Sequence, residues 1–247
     1  MNENYIVGRN PVLEALNGDS GVQKIYIKKG SDDGSIRKIL SIARKKKLVV
    51  SEVAKEKLDF YANGANHQGV VALVSDYEYK TVEDILNYAK ELGQDPFVIM
   101  LDSIEDVHNL GAIMRTAECG GAHGIIIPKR RAARVNQFVW KASAGAAKYM
   151  NVAMVNNISD TIRELKDKGL WVYAADMNGQ SMWEVDFSGG VCLVIGGEDK
   201  GISQNIRNNS DMVVEIPMYG NIESLNASNA AAILIYEVLR QKHAKKR

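Results

Sequence analysis

Three short segments of the chain combine glycine with amide, hydroxyl and charged side chains, as binding loops do. They are residues 109–115 (Asn-Leu-Gly-Ala-Ile-Met-Arg), residues 194–201 (Val-Ile-Gly-Gly-Glu-Asp-Lys-Gly) and residues 216–229 (Ile-Pro-Met-Tyr-Gly-Asn-Ile-Glu-Ser-Leu-Asn-Ala-Ser-Asn). The third segment lies between a predicted strand and a predicted helix, and it holds far more polar residues than a turn requires. We therefore expect many hydrogen-bonding groups to converge there.

Five side chains of these segments offer donors, acceptors and one permanent positive charge, but no strong nucleophile: Asn109, Arg115, Glu198, Ser224 and Asn226. This set favours transfer between two bound substrates over covalent catalysis. An arginine can hold a phosphate in a planar fork, and loop amides can hold the adenine and ribose of a cofactor. Each residue also has a purely structural alternative, since Asn109 and Ser224 could cap helices and Arg115 and Glu198 could form an ion pair.

Other common chemistries lack their signatures in this sequence. Residues 196–201 are similar to a phosphate-binding loop, but Ile202 stands where a Walker sequence would have its lysine. No G-x-G-x-x-G follows a predicted strand, which argues against an ordinary dinucleotide fold. The histidines and cysteines lack metal-ligand spacing, and no serine lies in a nucleophile elbow. Nucleotide hydrolysis, hydride transfer, zinc chemistry and serine hydrolysis are therefore disfavoured.

The composition predicts a folded protein that does not enter a membrane. The chain has 247 residues, of which 46% are hydrophobic and 25% charged, as in ordinary globular proteins. Its longest apolar runs are far shorter than the roughly 20 residues that a membrane-spanning helix needs. The beginning of the chain resembles no secretion signal, and Cys119 and Cys192 lie in apolar surroundings that predict buried thiols. We expect a cytoplasmic location.

Basic residues are concentrated in compact clusters, although the net charge is only +1. Residues 1–76 contain twelve Lys and Arg against nine Asp and Glu. Four clusters could contact phosphates: residues 28–29, residues 44–47, residues 129–131 with Arg134, and residues 242–247. Each alone could be a solvated surface, but their recurrence slightly favours a nucleic-acid partner.

The pattern of elements predicts two α/β domains. In residues 1–76, helices are predicted over 11–16 and 35–46 and strands over 24–27 and 70–74. Thr81-Val-Glu-Asp84 predicts a capping box that starts a helix reaching to about Leu92, within a connecting segment over 77–95. Residues 96–247 then form the second domain.

Strands and helices alternate through the second domain, which predicts a mostly parallel sheet covered on both faces. The predicted strands are residues 97–101, 124–127, 152–155, 170–174, 191–195 and 212–216. Ligands of such sheets bind beyond the carboxyl ends of the strands, where all three polar segments fall. A final helix over about 225–240 has an apolar stripe typical of a core or subunit interface.

The three segments, in this order, resemble the motifs of the SpoU (TrmH-like) family of RNA ribose 2′-O-methyltransferases in the SPOUT superfamily. The first motif, N-x-G-x-x-x-R, matches residues 109–115, the second matches Gly196-Gly-Glu198 with Gly201, and the third matches residues 216–218 and 224–228. Residues 8–16 (Gly-Arg-Asn-Pro-Val-Leu-Glu-Ala-Leu) and 67–72 (His-Gln-Gly-Val-Val-Ala) resemble the substrate-binding domain of the RlmB type. That type methylates a guanosine in 23S ribosomal RNA.

The resemblance implies a trefoil knot in the parallel sheet, with S-adenosylmethionine held in it. It implies a cofactor site made by Gly196, Ile216, Met218, Gly220 and Leu225, and a catalytic set of Asn109, Arg115, Glu198, Ser224 and Asn226. It also implies a homodimer formed through the knotted domain.

The implied reaction is in-line attack of a ribose 2′-hydroxyl on the sulfonium methyl group. Arg115 could accept the hydroxyl proton, or it could anchor a phosphate. The second role suits a guanidinium, because that group is essentially always protonated in proteins. Glu198 is the alternative proton acceptor. Two other substrates, transfer RNA and the ribosomal RNA of antibiotic-resistance enzymes, remain open. So does a non-catalytic, ribosome-associated RNA-binding protein.

Overall fold

The computed structural model describes residues 5–17, 21–74, 77–197 and 201–244. The chain separates into two compact units, residues 1–78 and residues 79–247. No helix among the described residues is both long enough and apolar enough to span a membrane.

The first unit is a small α/β layer structure. Its elements are β1 (Tyr5–Val7), α1 (Arg9–Asn17), β2 (Val22–Lys28), α2 (Gly34–Lys45), β3 (Val49–Val53), α3 (Lys55–Ala62) and β4 (Val70–Val74). The strands pair in the order β1-β4-β2-β3, and only the β2–β3 pair is parallel. One sheet face packs on α1 and α2 through Ile25 and Ile27, and the other packs on α3 through Tyr26 and Val71.

The second unit contains the parallel sheet. Its elements are α4 (Val82–Glu91), β5 (Phe97–Asp102), α5 (Val107–Cys119), β6 (Gly124–Pro128), α6 (Gln137–Ala142), a 3₁₀ turn (Ala146–Lys148), β7 (Val152–Val155), α7 (Ile158–Asp167), β8 (Leu170–Ser181), β9 (Gly190–Gly196), α8 (Gln204–Asn209), β10 (Met212–Glu215) and α9 (Ala227–Ala244).

The six strands of this sheet pair in the order β10-β8-β9-β5-β6-β7, and every pair is parallel. Val98 and Met100 of β5 face a core that includes α4, α7 and α8, while the intervening Ile99 and Leu101 are buried on the opposite side. The sheet is therefore covered on both faces. The predicted fold class, a parallel α/β sheet preceded by a small α/β unit, is confirmed.

Local sequence signals fix several helix starts. Thr81 and Asp84 form the predicted capping box, and hydrogen bonds from Thr81 hold the pKa of the Asp84 carboxyl below its usual value. Asp106 caps α5 by accepting a hydrogen bond from the backbone N–H of His108 at 2.7 Å. This cap sets where α5 begins, and thereby where Asn109 and Arg115 fall on its surface.

The prediction that both thiols are buried is wrong for Cys119. Cys192 is buried in β9, where burial raises the pKa of its thiol, but the side chain of Cys119 is exposed. Cys119 follows Arg115 by one helical turn on α5, and both lie on the solvent side of that helix. The apolar neighbours of Cys119 in sequence occupy the other face of the helix.

Candidate functional site

A cleft of about 1020 Å³ opens at the carboxyl ends of β9 and β10 and beside the middle of β8. Its walls come from residues 175–178, 195–197 with Gly201, 214–216, and most of the segment between β10 and α9. The second and third motifs therefore line one cavity, at the edge of the sheet where parallel α/β proteins bind ligands.

Glycines allow the backbones of this cleft to approach one another closely. A Cβ atom on Gly196 would lie 2.4 Å from the carbonyl carbon of Gly201, and one on Gly197 would lie 2.5 Å from the carbonyl oxygen of Ser103. The N–H of Gly197 donates to the carbonyl of Asp102 at 2.9 Å. The second motif thus joins the end of β9 to the end of β5. A side chain at Gly196 would clash with the backbone of Gly201, and one at Gly197 would clash with the backbone just after β5.

Asn226 links the third motif to the first. Its Nδ2 atom donates to Oδ1 of Asn109 at 3.0 Å, while its own Oδ1 accepts from the backbone N–H of Ser228 at 3.0 Å. Asn109 lies in the first turn of α5 and is only 8% exposed, so its amide is held between α5 and the start of α9. Asn226 itself lines the cleft immediately before α9.

The remaining predicted catalytic residues have different surroundings. Ser224 lines the cleft and is exposed. Arg115 is exposed on α5 and is not among the described residues that line the cleft. Glu198 lies outside the described residues. The catalytic role of each residue stays a prediction.

All five residues predicted to hold the cofactor line the cleft: Gly196, Ile216, Met218, Gly220 and Leu225. Met218 and Leu225 keep more than a third of their surface exposed, at 39% and 37%. Large apolar side chains that face a cleft in this way offer a surface for a flat aromatic ring. Their contact with a cofactor also stays a prediction.

Sequence reasoning missed the wall of the cleft that β8 supplies. The strand was predicted to end at Ala174 but continues to Ser181, and Asp176, Met177 and Asn178 face the cavity from its irregular middle. The Asn178-Gly179 dipeptide is a turn signal that could have marked this irregularity.

The cleft has an acidic lining. Its described lining residues include the carboxylates of Asp176, Glu215 and Glu223, but neither Lys nor Arg. Glu215 accepts a hydrogen bond from the N–H of Gly179 at 3.2 Å, and Asp176 is paired with Arg207 behind the cleft wall. Such a cavity suits a ligand that donates hydrogen bonds or carries positive charge.

Comparison with known proteins gives matches along nearly the whole chain. Residues 96–236 match the SpoU rRNA Methylase family, and residues 5–80 match a domain described as RNA 2′-O ribose methyltransferase substrate binding. A Bacillus subtilis protein named putative TrmH family tRNA/rRNA methyltransferase YacO is 40% identical over 240 residues, covering 97% of this chain and 96% of its own. A Staphylococcus epidermidis protein named putative TrmH family tRNA/rRNA methyltransferase is 44% identical over 246 residues, covering 98% of each chain.

Among solved structures, the fold is similar to that of the SpoU methyltransferase AviRb from Streptomyces viridochromogenes in complex with AdoMet. The TM-score is 0.61 at 24% identity, covering 97% of this chain and 90% of AviRb. At this identity the likeness concerns the fold alone. This chain is a member of the SpoU (TrmH-like) RNA methyltransferase family, as shown by the match of residues 96–236 and by relatives at least 40% identical over 97% or more of the chain.

Proposed function

We propose that this protein transfers a methyl group from S-adenosylmethionine to a ribose 2′-hydroxyl of RNA, in a guanosine of 23S ribosomal RNA. Three findings support the proposal: the family membership, the substrate-binding match over residues 5–80, and relatives named for tRNA or rRNA methylation. Ribosomal RNA is favoured over transfer RNA because the first unit resembles the RlmB type. Action on ribosomal RNA implies a cytoplasmic location.

The hydrogen bond between Asn226 and Asn109 is the structural observation that best supports this proposal. It joins the first motif to the cleft that the second and third motifs line, although the two residues are far apart in sequence. Asn226 lines this ligand-sized cavity, and the nearly buried Asn109 holds its amide, which is the arrangement expected of a positioned functional side chain.

The cleft fits S-adenosylmethionine in size and in chemistry. Ile216 and Leu225 offer apolar surface for the adenine, and the acidic lining suits the hydroxyl groups and the positive charge of the cofactor. When bound, the cofactor supplies an electrophilic methyl group on a sulfonium. The trefoil knot implied by the family resemblance, in which the segment after β10 threads through a loop, is part of the proposal.

Side chains of this protein would position the RNA and manage one proton. Ser224 and the Asn109–Asn226 pair would orient the ribose, because their hydroxyl and amide groups can donate and accept hydrogen bonds. Arg115 is exposed, which favours a charged guanidinium that anchors an RNA phosphate over a neutral proton acceptor. Glu198 is then the proposed proton acceptor.

Homodimer formation through the second unit is also proposed. Ile233 and Tyr236 lie one turn apart on α9, and each exposes at least a third of its surface, 36% and 50%. Exposed apolar side chains one turn apart on a helix suit an isologous contact with a second copy. Sedimentation equilibrium at micromolar concentration tests it, and a stable monomer would contradict it.

The activity is tested by mapping ribose methylation in a deletion strain, since a 2′-O-methyl group blocks alkaline cleavage after the modified nucleotide. We expect the loss of one methylated guanosine in 23S ribosomal RNA and its restoration by the intact gene. Loss confined to transfer RNA would favour the tRNA alternative. RNA binding without binding of S-adenosylmethionine in calorimetry would favour the non-catalytic RNA-binding alternative.

A further inference from the structure

The wall that β8 adds to the cleft is a bulge of fixed shape. Along β10, Val213 pairs with Ala174 but the next residue, Val214, pairs with Gln180, so residues 175–179 of β8 have no paired residue in β10. Asn178 has a φ of 58°. A Cβ on Gly179 would lie 2.6 Å from the carbonyl oxygen of Val213, so only glycine fits at this point of the bulge. Asp176 lies in the bulge and faces the cleft.

Arg207 holds the bulge from behind. Its Nη1 atom donates to Oδ2 of Asp176 at 2.8 Å and to the carbonyl of Met177 at 3.3 Å, and its Nη2 atom donates to the carbonyl of Asn178 at 3.2 Å. Both side chains of the ion pair are largely withdrawn from water, with 22% exposure for Asp176 and 28% for Arg207. The guanidinium therefore fixes both the carboxylate and the backbone that carries it.

One oxygen of Asp176 is left directed toward the second motif. Oδ1 accepts from the N–H of Met177 at 2.8 Å, and it lies 3.9 Å from a Cβ built on Gly201, closer than any other described atom outside the glycine's own chain neighbours. A carboxylate oxygen has about two acceptor sites, so Oδ1 can take a second donor. Because Arg207 already balances the charge of Asp176, the carboxylate suits neutral hydroxyl donors better than a cation.

We propose that Asp176 accepts hydrogen bonds from the ribose hydroxyls in the adenosine half of S-adenosylmethionine, and that Arg207 is the residue that positions it. The inference rests on the proposed function and adds a specificity-determining residue outside the three motifs. The location of Asp176 between the second motif and β10 supports the assignment, since the adenosine-binding residues proposed above line the same cleft.

Calorimetric dissociation constants for two ligands test this contact without any measurement of activity. S-adenosylmethionine carries an ammonium group and a sulfonium charge, whereas 5′-methylthioadenosine keeps the ribose and adenine but has a neutral thioether and lacks the amino-acid part. We expect Asp176→Ala to weaken binding of both ligands by about tenfold or more, with Asp176→Asn intermediate because it keeps one acceptor oxygen. Asp160→Asn is the matched control, because Asp160 forms an exposed ion pair with Arg163 on α7.

Ligands that lack one ribose hydroxyl make the test specific. Against wild type, 3′-deoxy- or 2′-deoxy-5′-methylthioadenosine should bind more weakly than the parent compound, and this difference should shrink in Asp176→Asn. Arg207→Met should also shrink the difference in affinity between the parent compound and its deoxy analogues, and Arg207→Lys should restore this difference in part. If Arg207 had only a structural role, its substitution would change the melting temperature but not the discrimination between ligands.

The outcomes separate this inference from the proposed function. Weaker binding of S-adenosylmethionine alone would overturn the inference in favour of a contact with the ammonium or sulfonium charge, and unchanged affinity for both ligands would also overturn it. In either case wild type still binds the methyl donor, so the proposed function stands. Wild type that binds neither ligand would instead contradict the proposed function itself.

Discussion

Asn226 and Asn109 are joined by a hydrogen bond of 3.0 Å, although they are 117 positions apart in sequence. The bond ties the start of α9 to the first turn of α5, at one side of the cleft that the other two motifs line. Because the Asn226 amide also accepts from the N–H of Ser228 in α9, and Asn109 is nearly buried, the pair presents a preorganised group to a substrate rather than a mobile one.

The two asparagines should act as a unit in catalysis. We expect Asn109→Ala and Asn226→Ala each to reduce the rate of RNA methylation by about a hundredfold or more, and the double variant to be little worse than either single one. Single-turnover methyl transfer from labelled S-adenosylmethionine measures this. Asn208→Ala, at an exposed position of α8, is the control. Fully additive losses would show that the residues act independently.

The segments that build the cleft could be predicted from sequence because each motif is local. Strand ends, glycines and polar residues mark the positions of Gly196, Ile216 and Ser224 without any knowledge of the sheet. The bulge of β8 could not be predicted in this way, because it depends on the register with β10, a distant strand. Asp176 and Arg207 meet only in the folded chain, so sequence spacing did not indicate their pairing.

Gly111 shows a second limit of sequence reasoning. Gly111 of the first motif lies inside α5, where a Cβ would come within 2.4 Å of Cβ of Ala142. Its role is close packing of α5 against α6. Short elements such as α6 and α8 were missed because a single or double helical turn has too few residues to show a period.

Gly111→Ala should therefore destabilise the second unit. The added methyl group also approaches the backbone N of Ser143 to 3.0 Å, so α5 must shift, at a cost of about 1–3 kcal/mol in the free energy of unfolding. Thermal unfolding followed by tryptophan fluorescence measures it, since Trp140, Trp171 and Trp183 all lie in this unit. Gly34→Ala, in the first unit, where no described atom outside its chain neighbours and its own helix backbone lies within 4 Å of the added Cβ, should leave this transition unchanged. Equal melting temperatures for Gly111→Ala and wild type would refute the packing role.

The buried side-chain amide of Gln23 should destabilise the first unit, and a substitution can remove this effect. Gln23 is 5% exposed on β2, and neither its Nε2 nor its Oε1 atom has a hydrogen-bond partner among the described residues. A buried amide without partners costs about 1–3 kcal/mol, so Gln23→Met, of similar volume, should stabilise this unit by about 1 kcal/mol. Hydrogen exchange of the β2 amides should slow accordingly. Gln204→Met, at an exposed position, should leave these amides unchanged, and faster exchange in Gln23→Met would contradict the prediction.

The two thiols should react at very different rates in the folded protein. Cys119 is exposed, whereas Cys192 is fully buried and its pKa is raised by that burial. We expect one equivalent of thiol to react with a soluble disulfide reagent under native conditions, and a second only after unfolding. Cys119→Ser should abolish the first equivalent, and Cys192→Ser should leave it unchanged. Two fast equivalents in wild type would show that β9 opens readily.

His123 should make stability depend on pH. It is 2% exposed before β6, where its Nδ1 accepts from the N–H of Phe97 at 2.9 Å and its Nε2 lies 3.1 Å from Oε1 of Gln94. Burial, and then the positive charge of Lys242, lower the pKa of His123 below its ordinary value of 6.5. Protonation would also remove the acceptor that Phe97 uses.

Because the folded protein binds fewer protons at His123 than the unfolded chain, its contribution to stability is present above pH about 6.5 and is lost as the pH falls toward the lowered pKa. The melting temperature of wild type should therefore fall between pH about 7 and 5, and fall less in His123→Gln, because glutamine does not titrate. His243→Gln, at an exposed position near the end of α9, should keep the wild-type slope. Parallel profiles for wild type and His123→Gln would mean that the pH dependence arises elsewhere, and that the hydrogen bond to Phe97 survives acidification.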